Sequence, residues 1–272
     1  MTLHAALKSV ATEVALEPAA RRQTYITIRG LSKQFDRNAL YQDFDLDIPQ
    51  GRFTSIFGPN GCGKSTLINM IAGLTPIDSG EILFDGKTLR ETTIGYVFQN
   101  YRDALFPWKR ALDNIKYPLE IAGKSKAECN RRVQELIASF DIKFDLERYP
   151  YELSGGQQQL VSIMRALAPH PEVLFLDEPF SALDYEMTLF IRDKLQEFFK
   201  ATGVTMILVS HDLEEAVYLA DRVLLLTKRP TRVAETVPFN APRMRDSHTL
   251  SSEEFIRIKA QCLEIFQREV RR

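Results

Sequence analysis

Apolar and polar residues alternate over 25–29 (Tyr25-Ile26-Thr27-Ile28-Arg29) and over 44–48 (Phe44-Asp45-Leu46-Asp47-Ile48). This predicts two half-buried strands with a loop carrying Phe35 between them. The run at 52–57 is β-branched and aromatic enough for a buried strand, and those at 94–98 and 173–176 are almost wholly apolar, as in strands buried within a parallel sheet. Residues 81–86 read as a strand entering a turn, and 204–209, 222–226 and 232–237 as further strands. Apolar residues at three- and four-residue spacing predict helices at 67–72, which Gly73 can stop, at 111–121 and at 126–140. More helices are expected from 154 to 168, over 185–200 and after Asp212 to 220. A last amphipathic helix bears Phe255, Ile258, Cys262 and Phe266 and follows Ser251-Ser252-Glu253-Glu254, which resembles a capping box. Between 100 and 168 the texture is helical, an insertion in an otherwise alternating α/β pattern.

Composition changes the picture little. With 272 residues, 44% apolar and 26% charged, the chain can bury a full core. A net charge of -1 gives no electrostatic case for nucleic-acid binding. Three scattered cysteines suggest neither a disulfide framework nor a metal site. No apolar run approaches the ~20 residues that cross a bilayer, and residues 1–23 do not read as a signal peptide. They are expected to be a frayed extension, with a membrane-surface helix as the alternative.

One stretch organises the chemistry. Gly58-Pro59-Asn60-Gly61-Cys62-Gly63-Lys64-Ser65-Thr66 fits G-x-x-x-x-G-K-[ST] between a predicted strand and a predicted helix. That order aims backbone N–H groups and the positive end of a helix at one point, where a triphosphate fits. Lys64 can reach the β- and γ-phosphates, and the Ser65 hydroxyl can ligate Mg²⁺. The run at 173–176 ends in Asp177-Glu178. Asp177 can hold Mg²⁺, through water or with Ser65, and Glu178 can activate water for attack on the γ-phosphate. Ser154 with Gly155 and Gly156 opens a helix, either as a plain N-cap or as a second anion-binding terminus.

Leu153-Ser154-Gly155-Gly156-Gln157, between these two nucleotide motifs, resembles the signature of ABC-type ATPases. Further segments match the family in order: Gln99 at the Q-loop, Ser181-Ala182-Leu183-Asp184 as the D-loop, His211 as the switch histidine and Phe35 as the aromatic that stacks on adenine. The resemblance covers about 25–245. It implies a P-loop NTPase fold of the ABC ATPase type: a central, mostly parallel sheet, an N-terminal antiparallel β subdomain and a helical insertion. That domain is expected over 24–245, with a C-terminal helical extension at 246–272. ATP and Mg²⁺ are the implied cofactors, with Ser65, Gln99 and Asp177 around the metal and Glu178, Gln99 and His211 catalytic. Also implied is a dimer, with an identical or a homologous subunit, in which Ser154, Gly155, Gly156 and Gln157 contact the ATP of the partner. Leu160 stands where the family usually has Arg, and Ser162 and Met164 where it favours Ala, so the packing of the insertion is expected to differ.

Leu105-Phe106-Pro107-Trp108 followed by Ala111-Leu112-Asp113-Asn114 resembles a segment of subunits that serve nitrate, sulfonate, taurine and bicarbonate importers. Phe106, Pro107 and Trp108 make a rigid apolar knob that packs in the core or docks a membrane subunit. The resemblance thus implies an importer subunit on the cytoplasmic face of the inner membrane, held there by transmembrane permease subunits and served indirectly by a substrate-binding protein. A non-transport ABC ATPase would need coiled coils, zinc modules or a second cassette. A GTPase would need N-K-x-D, which the chain lacks.

Overall fold

Residues 23–271 are described by a computed structural model. The extension expected at 1–23 lies, except for Gln23, outside the described residues. Strand β1 (Thr24–Phe35) pairs antiparallel with β2 (Asn38–Pro49) and with β4 (Ser79–Phe84) in a three-stranded sheet. The expected loop around Phe35 is instead the end of β1. Register shifts near Gly30 interrupt the alternation that the sequence pattern relies on, yet pairing resumes to Phe35↔Asn38. Asp36 and Arg37, at φ 46° and 66°, make a two-residue hairpin turn of the kind that suits strand twist.

The second sheet has six strands in the order β5-β6-β7-β3-β8-β9. These are β3 (Phe53–Phe57), β5 (Ile94–Val97), β6 (Val173–Asp177), β7 (Thr205–Val209), β8 (Arg222–Leu226) and β9 (Val233–Pro238). All pairings are parallel except β8 with β9. Side chains of β6 alternate between two cores: Leu174 and Leu176 join the larger one, Val173 and Phe175 the smaller one with β1 and β2. Helix α1 (Lys64–Ile71) packs on the smaller-core side. On the other side lie α2 (Tyr101–Ala104), α3 (Ala111–Ile121), α4 (Lys126–Ser139), α5 (Gly155–Leu167), α6 (Tyr185–Thr202) and α7 (Leu213–Leu219). Leu160, Ser162 and Met164 are all buried. The Ser162 hydroxyl has no hydrogen-bond partner among the described residues, so the departure at this position leaves a polar atom in the core.

The register sets the strand ends level. Val97 pairs with Leu176, Asp177 with Val209, and Ile56 with Val209. The chain leaves β3 toward β5 on one side and later crosses to β8 on the other, and at such a reversal the strand ends open a crevice. The chain closes with α8 (Ser247–Ser251) and α9 (Glu253–Arg271). The expected capping box at 251–254 is not formed. Asp246 caps with Thr249 instead and opens α8, which takes up Ser251. Ser252 Oγ then accepts from the Phe255 N–H. Among the described residues no helix is long and apolar enough to cross a membrane.

Candidate functional site

The loop after β3 turns into α1 through Gly63, whose φ of 101° is open to glycine at little cost. Three distant groups hold the loop's carbonyls from outside. Arg229 Nε donates to Gly61 O at 2.7 Å, Thr231 Oγ1 to Cys62 O, and Tyr41 Oη to Gly63 O at 3.0 Å. Because each peptide is planar and trans, the N–H groups of Gly63 and Lys64 face the other way. Lys64 is buried and its ammonium lies back on Gly58 O and Pro59 O, at 2.9 and 3.3 Å. Asn60 is exposed, Cys62 buried and Thr66 half-buried in the first turn of α1. Burial pushes the Cys62 thiol up, against the opposing charge of Lys64.

Ser65 Oγ donates to Asp177 Oδ1 at 2.8 Å, joining the α1 terminus to the end of β6. The other carboxylate oxygen lies 3.4 Å from Tyr96 Oη, which also donates to Asn69 Oδ1 at 2.6 Å. Burial raises the Asp177 pKa, and the Ser65 hydrogen bond partly offsets this. Glu178 follows with φ 45°, so the chain bends sharply out of the sheet. Its Oε2 accepts from Gln99 Nε2 at 2.8 Å and lies 3.1 Å from His211 Nδ1. The ends of β5, β6 and β7 thus deliver Gln99, Glu178 and His211 to one carboxylate. Asp212 beside His211 accepts from Glu214 N and Glu215 N and caps α7.

Other expected site residues lie apart. Ser154 caps α5 and forms a capping box with Gln157, which satisfies both groups locally. A Cβ on Gly156 would come 2.4 Å from Met187 Cγ, and one on Gly155 would come 2.7 Å from Tyr101 Oη. The two glycines therefore admit a close approach of α6 and α2. Asp184 caps α6 through Met187 N at 2.8 Å. Helix α5 packs on α2, α3 and β5, whereas α1 packs on β6 and β7. Phe35 ends its strand at the hairpin turn, 46% exposed. Trp108 is 71% exposed and its ring centroid lies 5.4 Å from that of Phe106. Behind this knob the buried Asn114 amide donates to the carbonyls of Phe106, Lys109 and Arg110 and accepts from Phe106 N.

No site role follows from the sequence for Tyr41, Tyr96, Arg229 or Thr231. A hydroxyl in the otherwise apolar strand at 94–98 was the available signal for Tyr96. The other three act across the fold, and no local pattern marks them.

The ABC transporter family model matches residues 41–181. An uncharacterised ABC transporter ATP-binding protein of Methanocaldococcus jannaschii is 36% identical, over 92% of this chain and 94% of its own length. An sn-glycerol-3-phosphate import ATP-binding protein of Rhizobium johnstonii is 43% identical over 74% of this chain, which spans 55% of that longer protein. Other similar import proteins are named for spermidine and putrescine or for sulfate and thiosulfate. Among solved structures, a dimeric ATP-binding cassette in a post-hydrolysis state with ADP and phosphate superposes with a TM-score of 0.69, at 30% identity. That match covers 80% of this chain and 99% of the cassette.

Proposed function

This chain belongs to the ABC transporter family, and from that premise we propose that it is the ATP-hydrolysing subunit of an importer, acting as one half of a two-cassette clamp. The observation that carries the reading is the convergence of Gln99 and His211 on the Glu178 carboxylate, one residue beyond the Asp177–Ser65 pair.

In this reading the loop N–H groups and Lys64 receive the phosphates, and Phe35 stacks on the adenine. Ser65, Asp177 and Gln99 are hard oxygen donors of the kind Mg²⁺ takes, and the hydrogen-bonded pair of half-buried Ser65 and buried Asp177 fits that ion. Bound there, Mg²⁺ would neutralise charge on the phosphates. Glu178 Oε2 takes the proton of a water aimed at the γ-phosphate, while Gln99 and His211 hold its carboxylate in line. His211 is 59% exposed on its side chain, so it can turn to the γ-phosphate without leaving a packed core. Ser154, Gly155, Gly156 and Gln157 contact the nucleotide of the partner subunit, with Asp184 beside the same interface. The different packing partners of α5 and α1 within one chain support that arrangement.

The exposure of Trp108 supports docking of Phe106, Pro107 and Trp108 on a permease at the cytoplasmic face of the membrane. The same segment supports a cargo of the nitrate, sulfonate, taurine or bicarbonate kind, delivered by a separate binding protein. Glu178→Gln tests the reading. ATP turnover should fall about 10²- to 10⁴-fold with ATP affinity unchanged, and retained turnover would remove Glu178 from the mechanism. For the docking knob, Trp108→Ala should spare the ATPase activity of the isolated subunit and reduce its stimulation by the permease. Undiminished stimulation would sink the docking role.

A further inference from the structure

Helix α9 carries two apolar faces. Phe255, Ile258, Cys262 and Ile265 are buried on the inner one, against α7, β8 and β9. The outer one presents Ile256, Leu263 and Val270, which are 57%, 44% and 39% exposed. A single apolar face is enough to dock a helix on its own domain, so the second calls for another occupant. With Ala260 and Gln267 between them, the outer residues follow the alternating four-and-three spacing of a coiled-coil seam.

The flanking charges choose that occupant. With Ile256, Leu263 and Val270 at d positions, Arg257, Glu264 and Arg271 fall at e, and Lys259 and Phe266 at g. Parallel pairing with a second copy sets each g residue against the following e of the other helix. Lys259 then meets Glu264, and two-fold symmetry repeats the pair. Antiparallel pairing would instead set Arg257 against Arg271 and Glu264 against itself. The face is therefore complementary to itself in one orientation. Lys259 already holds Glu214 at 2.6 Å, with both side chains part-exposed, and its ammonium carries three donors, enough for a second carboxylate.

We propose that the outer face of α9 pairs in parallel with α9 of a second copy of this chain, joining two chains without nucleotide. The contact does not depend on the loop at 58–66. If the clamp described above operates, such a tether raises the effective concentration of one cassette for the other.

Sedimentation velocity of the full chain in the absence of nucleotide tests this. The expected result is a reversible monomer–dimer equilibrium that Leu263→Glu weakens about tenfold or more, with the melting temperature kept because the side chain is part-exposed. Lys259→Glu should also weaken it, and adding Glu264→Lys should restore it, which separates the pairing from loss of the Glu214 contact. A monomer at every concentration, a dimer indifferent to Leu263→Glu, or no rescue by the charge swap overturns the proposal. ATP-dependent dimerisation is followed separately in a Glu178→Gln background. Its failure while the nucleotide-free dimer persists counts against the proposed function and leaves the α9 contact standing.

Discussion

In the proposed function Glu178 is the residue on which the chemistry turns, and its left-handed backbone is part of why. A strand continued straight would carry its carboxylate away from the sheet, whereas the bend at φ 45° brings it back to Gln99 and His211. A non-glycine residue in that region costs on the order of 1–3 kcal/mol, which the hydrogen bond from Glu178 N to Val209 O and the pairing of β6 with β7 help to offset. Tyr96 acts one step behind. Removing its hydroxyl with Tyr96→Phe keeps the ring contacts to Phe98 and Phe175 but frees one side of Asp177. ATP affinity in Mg²⁺ should fall about tenfold while affinity without Mg²⁺ stays the same. Equal shifts in both conditions would remove Tyr96 from the support of the metal site. Lys64→Ala should weaken nucleotide binding in a direct titration, and unchanged affinity would overturn its place in the phosphate cradle.

At the scale of elements, much was legible in the sequence. Strands such as β6 stand out because burial on both faces favours an unbroken apolar run, here Val173 to Leu176 before Asp177, with all five residues buried. The loop at 58–66 is legible because glycine spacing and a following apolar helix are local facts. What was hidden is long-range. Nothing near Gly63 announces Tyr41, and nothing near Gly61 announces Arg229, because the bridge from Tyr41 to Thr231 and the pairing of β3 with β8 bring them together. The length of β1 was obscured for a related reason: pairing with β2 carries the strand through an irregularity that breaks its alternation. The meeting of Gln99, Glu178 and His211 likewise depends on register, which no single strand encodes. Asn114 shows how an element supports function at a distance, since one buried amide ties α3 to the loop bearing Trp108. Asn114→Ala should lower stability by about 1–3 kcal/mol and alter the emission of Trp108, the one tryptophan in the chain. An unchanged melting temperature and unchanged emission would show that the knob is held by other contacts.

At the scale of the whole molecule, the proposed clamp uses two helix termini of each chain for phosphate, one behind the loop at 58–66 and one at Ser154, on helices whose main packing partners differ. In the proposed arrangement the chain is half of a site: each nucleotide lies between the loop of one copy and Ser154 of another. The Glu178→Gln variant, able to bind but not to turn over ATP, isolates this claim. Mass and bound nucleotide are measured together, by light scattering and by extraction, after loading with Mg²⁺ and ATP. The expected result is a particle of twice the 31.1 kDa of one chain, with one ATP per chain, that falls apart when Ser154 is replaced by Asp. A 31.1 kDa particle saturated with ATP, or a dimer indifferent to Ser154→Asp, would contradict it.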